Sequence, residues 1–352
     1  MTSASFVAAA RHFGIDRETA IASYQSFYRE GSDPRHAVIT PIARIHDDVD
    51  TTKFITLRDD GLEVETVVLR NTGRTAVTRR TLCVSSQIGC AMGCTFCETA
   101  RMGLMTSLST EAIVAQWAQA RWSLGVHIDN VVFMGMGEPL DNLDAVCEAI
   151  EVLTDHHGPA LAPSRITVST VGLATGIDTL RSFCDRDGYR RVKLAVSVNA
   201  PDDDVRREIM PIARAVPMSE LLAAMARWTN GTRRRVLVEY VVIPGVNDAP
   251  SHARALCRQL ADHSIACTIN VIPYNPRRES PWPAPGDDVV DRFVKAIQAC
   301  GQMVRRRRTL GRDLMAACGQ LGNARVRRRR IVEESSVRRP LSVHGVVQPD
   351  NG

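Results

Sequence analysis

The chain has 352 residues, of which 44% are hydrophobic and 24% charged, with a formal net charge of +5. This is an ordinary globular composition, long enough for one large α/β domain with an appendage. No apolar run reaches bilayer-spanning length, the first residues carry no signal-peptide core, and ten unevenly spaced cysteines are not a secreted disulfide framework. A reducing, cytoplasmic location with no membrane contact is therefore expected.

Residues 11–30 have a helical pattern, and 53–69 read as strand, turn, strand around Asp59-Asp60-Gly61. Residues 1–75 are expected to form a small accessory domain. From about residue 80 the pattern changes to alternating strands and helices. Strands are predicted at 81–85, 130–134, 165–170, 192–198, 235–243 and 266–272. Helices are predicted at 109–122, where Ser109 is the cap and Glu111 sits in the first turn, and at 141–156, 176–184, 201–209, 218–228, 249–261 and 287–299. Continuous apolar strands alternating with helices imply parallel pairing under a helical cover. About six such units make an α/β fold of the partial (β/α)6 barrel kind, with a core over residues 76–323. Residues 324–352 are rich in Arg, Ser and Pro without periodicity and are expected to be a basic, disordered tail.

In a barrel, reactive residues sit on loops after strand C-termini. After the first predicted strand stands Cys90-Ala91-Met92-Gly93-Cys94-Thr95-Phe96-Cys97. Three thiolates spaced C-x3-C-x2-C on a glycine-punctuated loop suit a soft metal centre with one open site. A zinc site completed elsewhere, or three small core residues, are the competing readings. Cys147, Cys184, Cys257, Cys267 and Cys300 lie in apolar or helical contexts and read as packing residues. After the second strand comes Gly135-Met136-Gly137-Glu138-Pro139, on the same rim. Arg79 with Arg80, Arg305 to Arg308, and Arg325 with Arg327 to Arg330 are basic clusters, a pattern that favours phosphate-rich partners. Only 5% of residues are aromatic, so a stacking platform for single strands is not indicated.

Several stretches together resemble the RlmN/Cfr family of radical S-adenosylmethionine (SAM) RNA methyltransferases. They are CVSSQIGCAMGCTFCETA (83–100), MGMGEPLDN (134–142), ITVSTVG, LAVSVNAPDDDVRREIMP, EYVVIPGVND, NVIPYNP and RTLGRDLMAACGQLGN, and the resemblance spans about residues 54–323. The flanking cysteines Cys83 and Cys318, in CVSSQ and AACGQL, are its most discriminating part. The resemblance implies a [4Fe–4S] cluster on Cys90, Cys94 and Cys97, and two SAM molecules per turnover. It implies that Cys318 is methylated first, and that its S-methyl group then becomes the carbon added to an adenine ring. Cys83 is implied to help remove the ring proton and to release the product by pairing with Cys318. Glu65, in Val64-Glu65-Thr66-Val67-Val68, matches the family's proton acceptor.

SAM contacts are implied for Gly137, Glu138, Ser169, Ser197, Val198, Asn199 and Asn275. Position 199 departs from the pattern: the family mostly has Ser-Leu-His-Ala where this chain has Ser197-Val198-Asn199-Ala200. The N-terminal region is shorter than in RlmN and lacks its RNA-binding helical signature. RNA, ribosomal and also transfer RNA, is the implied partner, with residues 1–75 as a possible contact surface. An electron donor such as flavodoxin or ferredoxin is implied too. Carbon 2 of adenine is the favoured position, and a Cfr-like reaction at carbon 8 or a non-RNA radical-SAM substrate are the alternatives. A non-enzymatic Fe–S or zinc RNA-binding protein is the reading from a different class.

Overall fold

The computed structural model describes residues 1–31, 40–72 and 77–323, so the tail from 324, with its arginine run, lies outside the described residues. Two helices come first, α1 (Ser3–Arg11) and α2 (Arg17–Glu30). Thr2 and Asp16 cap them by accepting from the backbone N–H groups of Ser5 and Thr19. α1 lies ahead of the predicted helical stretch. α2 presents Phe27 and Tyr28 to Trp117 and Trp122, with Phe27 edge-on to Trp122 at 4.8 Å between ring centroids.

Next come β1 (Ile42–Asp48), β2 (Thr51–Leu57), β3 (Glu63–Thr72) and β4 (Thr78–Cys83), an antiparallel meander. The turn between β2 and β3 falls at Asp59-Asp60-Gly61, where Gly61 has a φ of 75°. Two short strands, β5 (Gln87–Ile88) and β6 (Thr106–Ser107), flank the cysteine loop and α3 (Glu98–Met102). Then the β/α alternation runs through α4 (Thr110–Ala118), β7 (Asn130–Phe133), α5 (Leu143–Thr154), β8 (Ile166–Thr170), α6 (Ala174–Asp185) and β9 (Lys193–Ser197). It continues through α7 (Asp203–Ile209), α8 (Met218–Thr229), β10 (Val236–Val242), α9 (Pro250–Asp262), β11 (Cys267–Pro273), α10 (Asp287–Ala299) and β12 (Val304–Arg306). Ser109 caps α4 as predicted, accepting from Ala112 N–H.

Ten strands form one sheet in the order β1-β2-β3-β4-β7-β8-β9-β10-β11-β12. Every pairing from β4 onward is parallel. No pairing joins β12 back to β1 among the described residues, so the wall is a partial barrel of the radical-SAM type. Its strands are apolar throughout because helices cover the outside. Leu194, Ala195 and Val196 on β9 have no solvent exposure. α6 closes over them with Ile177, Leu180 and Cys184 and packs on α8 through Leu221 and Met225. The sheet also runs across the division expected near residue 75, since β3 pairs with β4 from Val67↔Cys83 to Thr72↔Thr78.

One buried ion pair ties the meander to the far end of the chain. Lys53 on β2 and Glu65 on β3 meet at 2.7 Å, both about 5% exposed or less. Lys53 Nζ also donates to the Met315 carbonyl, and Glu65 Oε2 accepts from Gly322 N–H at 2.9 Å. Removing one partner leaves an uncompensated charge inside, at a cost of about 3–5 kcal/mol. Lys53→Met is therefore expected to lower unfolding stability by that amount in urea titration, and Lys53→Met/Glu65→Met to recover most of it. A single variant within about 1 kcal/mol of the parent would show that the pair contributes no such constraint.

Candidate active site

The loop after β4 begins with buried polar residues that hold the neighbouring loop in place. Ser85 Oγ donates to the Glu65 carbonyl and accepts from Met136 N–H. Gln87 Oε1 accepts from Glu138 N–H at 2.9 Å, and Gln87 Nε2 donates to Asp141. Gly137 has a φ of 99°, and a Cβ there would stand 2.5 Å from Gln87 Cβ, so only glycine fits. Ser85 and Gln87 are functional supports that the sequence reading left unassigned. Polar residues after a strand read as turn formers, and nothing local signals their burial.

The cysteine loop is fixed at several points. Cys90 N–H donates to the Gly103 carbonyl, Thr95 N–H to Ile209, and Arg277 Nε to the Thr95 carbonyl. Cys90, Cys94 and Cys97 all border one cavity of about 1020 Å³, counting space open to solvent. Burial pushes the Cys90 thiol up to about 12 and raises Cys94 and Cys97 as well. Among the described residues no three His, Cys, Asp or Glu side chains are grouped for a single metal ion. A cluster makes no such demand, because each thiolate binds a different iron at a separate corner. Three soft donors around one cavity, with no fourth ligand, fit a [4Fe–4S] cluster that keeps one iron open.

The other predicted residues reach the same cavity from successive strand ends. Gly137, Glu138, Ser169, Ser197, Asn199 and Asn275 border it. Val198 does not: its side chain is buried in the apolar core, and its N–H donates to the Glu239 carbonyl. Glu138 is 1% exposed, with Oε1 accepting from Leu140 N–H at 3.0 Å and Oε2 from Val171 N–H at 2.8 Å. Burial still outweighs those donors and raises its carboxyl to about 7. Asn199 takes a left-handed φ of 56°, a conformation that asparagine tolerates, and its Oδ1 accepts from Val241 N–H at 2.9 Å.

Cys318 is half-buried in a segment clamped from three sides. Glu98 N–H donates to the Gly319 carbonyl at 2.7 Å, Thr99 Oγ1 to Leu321, and Gln320 Nε2 to Pro276. Cys83, at the end of β4, and Cys318 border a side cavity that shares Met134, Ile272, Asn275, Arg307, Cys318 and Leu321 with the main one. Both are free thiols. Burial raises Cys83 to about 12, the Cys318 sulfur adds to that, and the Arg307 guanidinium pulls against it. Glu65 lies outside the lining of both cavities, engaged with Lys53 and Gly322.

Two further residues belong here. Arg307, read from sequence as part of a surface run, turns inward beside Cys318 and Cys83, and its guanidinium is held more firmly charged by Cys318 first of all. Glu239 is 3% exposed, borders the main cavity, accepts from Asn270 Nδ2 at 2.8 Å, and lies 3.7 Å from Arg307. β12 ends at Arg306, but Arg307 N–H extends the pairing by donating to the Val271 carbonyl, so the period-two alternation gave a signal for Arg307 on the face of Arg305.

Residues 84–256 match the Radical SAM superfamily model. The chain is 40% identical over 290 residues to a probable dual-specificity RNA methyltransferase RlmN 1 of Protochlamydia amoebophila, covering 82% of this chain and 78% of that protein. It is 38% identical over 285 residues to a probable dual-specificity RNA methyltransferase RlmN of Akkermansia muciniphila, covering 80% and 77%. The crystal structure of a radical SAM methyltransferase from Sphaerobacter thermophilus superposes with a TM-score of 0.82 at 35% identity, covering 91% of this chain and 97% of that one. With cysteine loop, cavity and strand order already in agreement, the chain belongs to the RlmN family of radical SAM methyltransferases, which use a [4Fe–4S] cluster and SAM.

Proposed function

We propose that this enzyme methylates carbon 2 of an adenine in RNA, ribosomal and also transfer RNA, through a methyl group carried on Cys318. The observation that supports this most is the placing of Cys318 between two cavities, one bordered by Cys90, Cys94 and Cys97, the other by Cys83. The names of the relatives add RNA as the substrate class. An adenine ring carbon is not nucleophilic, so a direct methyl transfer from SAM does not serve. When bound on Cys90, Cys94 and Cys97, the cluster supplies the electron, drawn from a donor such as flavodoxin or ferredoxin, that cleaves SAM to a hydrogen-abstracting radical.

The chain's own residues do the rest. The Cys318 sulfur takes a methyl group from one SAM, beside the Arg307 cation. After hydrogen loss the S–CH2 carbon bonds to adenine, leaving RNA attached to Cys318 and an unpaired electron on the ring. Cys83 takes the ring proton as that electron returns to the centre that supplied the first one, and passes the proton to solvent. Its thiolate then attacks the Cys318 sulfur, the S–C electron pair goes to the CH2 carbon, which takes up a proton to become the methyl group, a disulfide forms, and the methylated base leaves. Glu138 accepts the SAM ammonium, while Gly137 lets the ligand approach the backbone. Ser169, Ser197, Asn199 and Asn275 supply polar groups to its ribose and base. Glu65, matched to a proton acceptor by resemblance, here sets the position of residues 315–322 through Lys53 and Gly322.

Nucleoside mass spectrometry of RNA treated with anaerobically reconstituted enzyme, SAM and reductant is expected to show 2-methyladenosine. 8-Methyladenosine would overturn the choice of carbon, and SAM cleavage with neither product would overturn RNA as substrate. In the same assay Cys83→Ala is expected to accumulate RNA attached to Cys318, and normal turnover by that variant would refute the pairing. Arg307→Gln is expected to slow S-methylation of Cys318 on the order of 10²-fold in intact-protein mass measurements, with Arg307→Lys partly restoring it. For Glu138, a folded-state value of about 7 against 4.5 means that only the folded chain keeps the proton between those values. Its contribution is greatest below pH 4.5 and is lost, by about 3 kcal/mol in all, as pH rises through 7. Urea titrations of the cluster-free chain and of Glu138→Gln should differ in pH slope by that amount, and parallel slopes would refute it.

A further inference from the structure

The parallel sheet has a second end, remote from the cysteines. Residues two and four apart on a strand share a face. The cavity-lining residues near strand C-termini therefore have same-face neighbours near the N-termini. Beneath Cys83 stands Arg79, beneath Ser169 Arg165, beneath Ser197 Lys193, beneath Glu239 Arg235, and beneath Arg307 Arg305. Five strands thus carry a cation on the inward row, in the strand or just before it. Four residues of strand put the two layers about 13 Å apart. Arg190, Arg191, Arg233 and Arg234 join from the loops. Lys193, Arg235, Arg305 and the four loop arginines border an open cavity of about 2220 Å³, counting space open to solvent, whose wall includes Thr167 and Thr268, while Arg79 and Arg165 lie outside its lining.

Counter-ions are few there. Arg234 pairs with Asp185 at 2.8 Å and Arg190 with Asp187 at 3.5 Å, while Asp129 accepts from Arg80 N–H. Arg235 donates to the Cys267 carbonyl. The side chains of Arg79, Arg191, Lys193, Arg233 and Arg305 have no ion-pair or hydrogen-bond partner among the described residues. Burial lowers the Lys193 ammonium, and Arg165, Arg191, Arg305 and Arg79 lower it further, with no carboxylate acting the other way. Such self-repulsion destabilises a fold, and a polyanion relieves it.

The cations are exposed, long-armed and spread over several strands. Trp228, the one ring among the described residues of the wall, is fully buried and covered by Arg234 at 5.1 Å, so it offers no face to stack a base. Such a site suits phosphates that follow one another along a chain and reads no sequence. We propose that this basic cup binds the phosphodiester backbone of the RNA substrate, at a point away from the reacting base. The proposal rests on the reading of RNA as substrate. A folded RNA is larger than the barrel, so one part can enter the active cavity while another reaches the opposite end.

The test is the binding of a folded tRNA transcript to the full chain, without turnover, between about 50 and 200 mM salt. Arg191→Gln/Lys193→Gln/Arg305→Gln is expected to weaken binding about tenfold or more and to lower the log–log salt slope by about two to three. Its thermal unfolding should not fall, because repulsion is removed. Unchanged affinity and slope in the folded variant would overturn the proposal alone. Loss of inorganic tripolyphosphate binding with RNA binding intact would overturn it in favour of a small polyanion. Should the triple variant not fold, Arg233→Gln, on an exposed turn, is expected to lower the slope by about one, and an unchanged slope would count against the cup. A parent chain that binds no RNA would overturn this proposal together with the RNA reading.

Discussion

Strands β4 and β7 to β12 all point the same way, and that direction decides where chemistry can occur. Parallel strands send every β-to-α loop to one end of the sheet. Hence the cysteine loop, the Gly135–Glu138 loop, Ser169, Ser197, Asn199 and Asn275 converge although 185 positions separate Cys90 from Asn275 in sequence. The same geometry sorts side chains by face. A residue two or four positions before a cavity residue must point into the same lumen, at the other end. Active-site polarity and the basic underside are therefore two consequences of one arrangement.

Parallelism gathers loops but does not hold them still. Their positions depend on polar contacts made away from water, where an unmade bond is costly. Ser85, Gln87 and Glu138 lock the second loop to the first. Gly319, Leu321 and Gly322 accept or donate backbone bonds to Glu98, Thr99 and Glu65, so the segment with Cys318 is held against both the cysteine helix and the meander. Glu65 takes its meaning from this network. Its carboxylate, paired with the buried Lys53, holds the loop that carries Cys318.

What the sequence discloses follows from the range of each interaction. The strands and helices between residues 80 and 299 are legible because parallel burial writes itself locally, as in Leu194-Ala195-Val196 or the capped start at Ser109. The candidate cluster loop is legible because its three cysteines lie within eight residues. The pairing of β3 with β4 is a long-range fact, and a strand–turn–strand pattern names no partner. Arg307 was hidden by its neighbours: four arginines in a row look like a solvated face until alternation along and just past β12 puts Arg305 and Arg307 on the inward side. Glu239 was hidden within an apolar strand, where a lone carboxylate gives no sign of which face it takes.

The ten cysteines pose a selectivity problem that burial resolves in two steps. Cys147, Cys184, Cys257 and Cys267 are raised by burial with no cation close enough to reverse it, which leaves them inert as thiols. Cys83 is raised just as far by its surroundings, so burial alone would make it inert too. What distinguishes it is Arg307, which faces Cys83 and Cys318 at once. That one cation acts on both sulfurs and opposes what burial does to Cys83. Glu239 lies 3.7 Å from that cation and borders the main cavity with it. Cys83 and Cys318 are thus set apart from the other cysteines by sharing one cation where two cavities meet.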